Sequence, residues 1–251
     1  MRYFIEIAYD GTPYHGWQRQ PDAITVQQVL EEALSTLLRK ETTVVGAGRT
    51  DTGVHAKQLF AHFDLEQELT EDEMQHLVFR LNRFLPYAMA VNAIFKVNEN
   101  AHARFDAISR TYMYKVVLRK DPFAHLQAYC IEQQLDVEAM NAAAQLLLGR
   151  KDFQCFSRSN TDVKTYICDV AFAKWLHVGD ELIFTIKADR FLRNMVRAVV
   201  GTLLEVGKHK RTVASINEVL QSKDRSQADA SAPAHGLYLI EVKYPDTIKI
   251  L

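Results

Sequence analysis

The feature that most constrains this chain is a mixture of two hydrophobic periods running through both halves without a linker. Period-2 alternation marks strands over Arg2–Asp10, 59–65, 88–97, Thr111–Leu118, 170–175, 182–188 and 237–244. Helical apolar stripes separate them. Thr25 can cap a helix running to about Lys40 with Val26, Val29, Leu30, Ala33, Leu34 and Leu37 on one face. Thr70-x-x-Glu73 forms a capping box before a helix that Pro86 closes near Phe84. Further helices are expected over 137–148 and 191–206, the latter with Gly207 as its C-cap, and from Thr212. A short strand is expected over 42–45. Both halves thus mix strands with amphipathic helices, so the expected class is α+β with two lobes, divided as 1–104 and 105–251. With no Gly/Ser/Pro-rich tract between them, two closely joined lobes around a cleft fit better than independent beads.

Composition bounds the function classes. The 251 residues are 48% hydrophobic and 24% charged, enough for a sizeable core. The N-terminus lacks the apolar stretch of a signal peptide, and the run from Ala198 to Leu204 is far too short to span a bilayer, so a soluble cytoplasmic protein is expected. Three cysteines (Cys130, Cys155, Cys168) and no CxxC argue against a disulfide framework and against a zinc ribbon, leaving buried reduced thiols as the expectation. The net charge of −1 does not favour a nucleic-acid binder, but charge is segregated. From Lys187 to Arg211 seven basic residues stand against two acidic ones, while 64–73 is acidic. A basic groove and a set of ordinary solvated faces both fit that distribution.

The densest segment for chemistry is GAGRTDTGVHA, residues 46–56. A dinucleotide fingerprint starting at Gly46 would need glycine where Asp51 stands. A Walker loop starting at Gly48 would need Gly-Lys-Ser/Thr where Gly53-Val54-His55 stands. A carboxylate inside a phosphate cradle would also repel its ligand. What remains is Asp51 on a glycine-flanked loop, two residues after Arg49 and four before His55. Such a carboxylate can act as nucleophile or base at a sugar carbon, with the arginine favouring its ionised form. The same pattern suits an Asx-turn aspartate with no chemistry. Along the helix expected from about Phe191, Arg190 just before it, Arg193 and Arg197 would share one basic face, and Leu192, Met195, Val196, Val199 and Leu203 another.

GRTDTGVHA resembles the catalytic motif of the TruA family of tRNA pseudouridine synthases, with Thr52 where the family usually has alanine. YDGTPYHGWQRQP, HARFDAISRTYMY, FLRNMVRAVVGTLLEVG and APAHGLYLIEVKYP resemble four further blocks of that family, in the family's order and across nearly the whole chain. The resemblance implies two α/β lobes with antiparallel or mixed sheets flanked by helices around a central active-site cleft. It implies Asp51 as the catalytic aspartate and Tyr112 as the active-site tyrosine. It implies Arg197 as the arginine paired with the aspartate, Arg49 as a contact for phosphate or for the gap left by a flipped base, and Leu237 as an apolar residue near the uracil. Strand parity alone does not separate Tyr112 from Tyr114, and His15, Trp17 and His55 fit structural roles at least as well as RNA contact. The implied reaction isomerises uridine to pseudouridine in the anticodon stem-loop of tRNA, at positions 38, 39 and 40. It needs no metal, redox cofactor or nucleotide. The implied partners are tRNA and a second copy of the chain. A catalytically inactive RNA-binding module and a uridine glycosidase are the alternatives, and a variable loop is expected over 152–165.

Overall fold

The computed structural model describes residues 1–158 and 163–249, so part of the expected 152–165 loop, residues 159–162, lies outside the described residues. Along the chain the first elements are β1 (Arg2–Tyr9), α1 (Val26–Leu38), β2 (Val45–Gly46), β3 (His55–Asp64), α2 (Glu71–Phe84) and β4 (Met89–Val97). Then come β5 (Ser109–Val117), β6 (Tyr129–Cys130), α3 (Val137–Gln145), β7 (Gly149–Asp152), β8 (Ile167–Val178) and β9 (Glu181–Ala188). The last are α4 (Met195–Gly207), α5 (Ser215–Ser222) and β10 (Leu237–Lys243). The chain forms two compact units. One comprises Met1–Ile108 with Leu239–Leu251, the other Ser109–Tyr238.

In the first unit the strand order is β4-β1-β3-β10, with β2 added to β3. β1 is antiparallel to both β3 and β4. Tyr3, Phe4, Ile5 and Ile7 of β1 are all fully buried, so this strand is covered on both faces. Tyr3 stacks on Phe63, whereas Phe4, Phe60 and Tyr244 pack edge-to-face or tilted at 5.2–6.4 Å. α1 begins where Thr25 accepts a bond from Gln28 N–H and buries Val26, Leu30, Ala33 and Leu34. α2 begins at the capping box, in which Thr70 and Glu73 bond each other's backbone N–H. It packs on β4 and against α1, burying Leu77 and Leu81.

The expected strand over 42–45 shrinks to Val45–Gly46. Thr42 N–H and Val44 N–H bond Ser35 Oγ and the buried Glu31 carboxylate, both on α1, so side chains take the place of a strand partner.

In the second unit the order is β5-β9-β8-β7, antiparallel throughout, with β6 parallel to β5. Gly179, at φ +61°, turns the β8–β9 hairpin. Trp175, Tyr114, Phe153, Phe156 and Phe184 are the largest side chains buried there. α4 is buried on nearly all sides, with Met195, Ala198, Val199, Val200, Leu203 and Leu204 inaccessible or nearly so.

Two expectations for α4 need correcting. The helix starts at Met195, because Asn194 adopts a left-handed backbone (φ 66°) and the Arg193 carbonyl accepts a bond from Arg158 N–H. Arg190 and Arg193 therefore precede the helix and form no helical stripe with Arg197. Gly207 is the last helical residue, and the left-handed residue beyond it is His209, after Lys208. Gly207 serves packing instead, since a Cβ there would lie 2.4 Å from the Met140 sulfur on α3 and the Met140 side chain would have to shift. The short helix expected from Thr212 begins at Ser215.

The cysteine expectation holds for Cys155 and Cys168, which are free and buried; burial pushes both thiols up to about 12. Cys130 is exposed instead. No helix among the described residues is long and apolar enough to cross a membrane.

Candidate active site

Asp51 sits half-buried on the loop between β2 and β3, and the opening block of the chain holds that loop in place. Tyr9, at the end of β1, is buried and its hydroxyl lies 2.9 Å from the buried Thr50 Oγ1. Trp17 N–H donates to the Thr50 carbonyl at 3.1 Å. Gly16, at φ +86°, lies flat against the same peptide, and a Cβ there would stand 2.5 Å from Thr50 O and 3.2 Å from the Asp51 carbonyl carbon. Gly11 approaches as closely from the other side, where a Cβ would meet Val54 O at 2.1 Å. Val54 N–H closes a turn on Asp51 O, with Gly53 at φ +76° inside it. The backbone on both sides of Asp51 is thus clamped by residues 9–17.

The flanking residues sort by exposure. Arg49 is exposed and makes no hydrogen bond or ion pair with another described residue. His15 is exposed, whereas Trp17 is buried with its indole where a Gly46 Cβ would be. His55 is buried, its Nδ1 3.0 Å from Gly11 N and 3.0 Å from an Asp10 carboxylate oxygen. Burial pushes the Asp10 carboxyl up, but hydrogen bonds from Thr12 and the nearby His55 outweigh it and leave the group below its usual range. His55 and Trp17 are structural parts of the clamp.

In the second unit the two strand tyrosines separate. Tyr114 is fully buried and donates its hydroxyl to Pro233 O at 2.8 Å. Burial raises that hydroxyl far above the ordinary phenol range, although the nearby Arg197 cation opposes the rise. Tyr112 is half-buried, opposite Ile186, with its ring edge-on to Phe191 at 5.1 Å. Arg197 is half-buried on the first turns of α4 and donates Nε–H to Ala232 O at 2.7 Å, while Ala232 N–H bonds Arg197 O. The same segment crosses α4 at Gly201, where a Cβ would stand 1.9 Å from Ala230 O. Leu237 is buried at the start of β10. Residues 230–237 thus hang on α4 and on Tyr114, and they carry Leu237 with them.

Some of the cations between Lys187 and Arg211 are neutralised locally. Lys208 and Lys210 pair with Glu205, and Arg211 pairs with Asp229.

Sequence reasoning singled out Asp51 but not its clamp. Tyr9, Thr50 and Gly16 carry no chemical signature of their own; only the glycines in YDGTPYHGW hint at close backbone approach.

The family described as tRNA pseudouridine synthase matches residues 6–106 and 143–245. This chain belongs to the tRNA pseudouridine synthase family. Relatives named tRNA pseudouridine synthase A agree along almost their whole length. One from Parabacteroides distasonis is 50% identical over 247 residues, covering 98% of this chain and 97% of the relative. Another from Bacteroides fragilis is 49% identical over 249 residues, covering 99% and 98%. A more distant one from Syntrophotalea carbinolica is 39% identical over 240 residues, covering 95% and 94%. For this family member the structure gives the resembling blocks a mechanical meaning: the opening block clamps the aspartate loop, and the closing block is threaded over the helical one.

Proposed function

We propose that this chain isomerises uridine to pseudouridine in the anticodon stem-loop of tRNA, at positions 38, 39 and 40, with Asp51 as the catalytic carboxylate. The observation that carries this reading is the clamp: a half-buried carboxylate on a backbone pinned from both sides, next to an exposed arginine. A reacting group is effective when its position is fixed before substrate arrives. In the reaction the N1–C1′ bond breaks, the uracil turns, C5 bonds to C1′, the C5 hydrogen leaves as a proton, and the freed N1 takes up a proton. Product and substrate have the same atoms, so no oxidant or reductant enters the balance.

Arg49, Tyr112, Arg197 and Leu237 are assigned to substrate binding. Tyr112 suits stacking on an extruded uracil, since it keeps some accessible surface, whereas Tyr114 is fully buried. Arg49 suits a phosphate or the space vacated by the flipped base, because extrusion costs a few kcal/mol that a replacement contact offsets. The cations favour a phosphate backbone and make affinity fall with salt. A cytoplasmic homodimer is part of this proposal.

The test is tritium release from tRNA carrying 5-³H-uridine, with mass analysis for free base. The wild type releases tritium and no uracil, and Asp51→Asn, which keeps the side-chain shape, releases none. Free uracil would make the protein a glycosidase. Tight tRNA binding without release would leave an RNA-binding module.

A further inference from the structure

α2 buries one face and leaves the other unusually rich in aromatic and cationic side chains. Phe79 is 64% exposed, Phe84 52%, and Tyr87, just past the helix, is fully exposed. Arg80 and Arg83 lie between them in sequence and are exposed. At 100° per residue, Phe79, Arg83, Arg80 and Phe84 follow one another around about 140° of the helix surface. Leu77 and Leu81, the buried residues of the helix, come next around it, so Phe84 borders the buried face, and Arg80, Arg83 and Phe79 lie progressively farther from Leu77. Neither guanidinium makes a hydrogen bond or ion pair with another described residue. Three large exposed aromatics on one short segment have no role in the core of the unit.

The strip also runs up to the clamp. Tyr87 is followed by Ala88, whose carbonyl accepts the N–H of Asp10 at 2.9 Å. β4 then pairs Met89 with Tyr9, the residue whose hydroxyl meets Thr50. One hydrogen bond therefore joins the end of the strip to the loop that holds Asp51. The acidic residues of α2, Glu71, Asp72 and Glu73, lie in its first turn, at the far end from Tyr87.

We infer that this face of α2, from Phe79 to Tyr87, is a contact track for the RNA strand flanking the reacting uridine. This rests on the tRNA-modifying function proposed above. Charge complementarity favours a polyanion, because two unpaired guanidiniums side by side repel unless anions neutralise them. Interleaved aromatics favour one that also offers flat faces for stacking, which single-stranded or loop nucleotides do. A second copy of the chain would have to bring carboxylates to the same strip to bind there as well.

The experiment compares the full-length wild type with two double variants, Arg80→Gln/Arg83→Gln and Phe84→Ser/Tyr87→Ser. Binding of a fluorescent tRNA is followed by anisotropy across a salt series, with sedimentation velocity and thermal unfolding run in parallel. The side chains are exposed, so the unfolding midpoints are expected to stay near the wild type. The arginine variant is expected to weaken binding about tenfold at low salt and to lower the slope of log affinity against log salt by about two. The serine variant is expected to weaken binding about 5- to 100-fold with little change in that slope. Unchanged binding and slope in both variants would overturn the inference. So would loss of self-association in either variant with per-subunit binding intact, because the strip would then be an interface between copies. Pseudouridine formation by the wild type is scored separately. If the wild type makes none yet binds tRNA and the variants lose binding, the functional reading fails and the track stands. If the wild type neither binds nor modifies tRNA, both fail.

Discussion

Tyr112 and Tyr114 stand two residues apart on one strand, yet their surroundings assign them different work. The buried Tyr114 hydroxyl donates to the carbonyl of the partly buried Pro233, and losing it removes that hydrogen bond. Tyr114→Phe is therefore expected to cost about 1–2 kcal/mol of stability, read as a lower urea midpoint with unchanged slope. Tyr112→Phe is expected to slow tritium release from tRNA. Unchanged release at Tyr112 and no stability loss at Tyr114 would overturn the assignment. The alternation of the strand could not make this distinction. Both residues have the same parity, and the carbonyl that separates them comes from a segment 119 positions away.

At the scale of elements, close backbone contacts fix where the loops lie. Gly201 lets the 230–233 segment lie directly on α4, and Gly16 lets the opening loop lie on the Thr50–Asp51 peptide. Gly201→Ala puts a methyl group 1.9 Å from a backbone oxygen that has no flexible side chain to yield. The expected cost is about 1–3 kcal/mol or more, with lower activity, because the segment carrying Leu237 must shift. Gly48→Ala is the contrasting case. It lies in the aspartate loop itself, but nothing stands within 4 Å of its added Cβ, and its stability is expected to stay within about 0.5 kcal/mol of the wild type. Thermal unfolding and turnover of the two variants check both halves of this prediction. The caps at Thr25 and Thr70 and the apolar face of α1 were legible in the sequence, because each is written by residues within a few positions of one another. The start of α4 was not. Its apolar period runs smoothly through Leu192, and only the left-handed Asn194 and the Arg158–Arg193 bond interrupt it.

For the molecule as a whole, acid sensitivity is expected to begin with a histidine. His62 is buried on β3; its Nδ1 accepts Ala103 N–H at 3.1 Å and its ring meets His102 edge-on. Burial first, then the Arg2 cation and His102, lower it to about 4 from its ordinary 6.5. Between those values the unfolded chain binds a proton there that the folded protein does not. Stability is thus intact above pH 6.5, falls as the pH drops toward 4, and levels off below for this group, a loss of up to about 3 kcal/mol. Asp64, held low mainly by its hydrogen bonds to Arg2, adds a loss at still lower pH, as its carboxylate becomes protonated. Urea midpoints at pH 7, 5.5 and 4.5 should decline in the wild type and less steeply in His62→Gln. A parallel decline in both would place the acid sensitivity elsewhere.

By itself the sequence determined the element types over most of the chain and the mixed class of strands and helices, and it pointed to the aspartate loop as the place to look. It carried enough ordered motif to expect the family to which the chain belongs. Those properties are local or collinear: a cap, a face and a motif are each specified by neighbours along the chain. Only the tertiary structure decided which tyrosine is buried, that Arg190 and Arg193 stand outside the helix, that residues 9–17 clamp the peptide of Asp51, and that residues 239–251 return to the unit formed by the first 108. Each depends on backbone groups meeting across tens to more than a hundred residues. Their specification lies in which glycine leaves room and which buried carbonyl needs a donor, and neither can be known before the chain has folded.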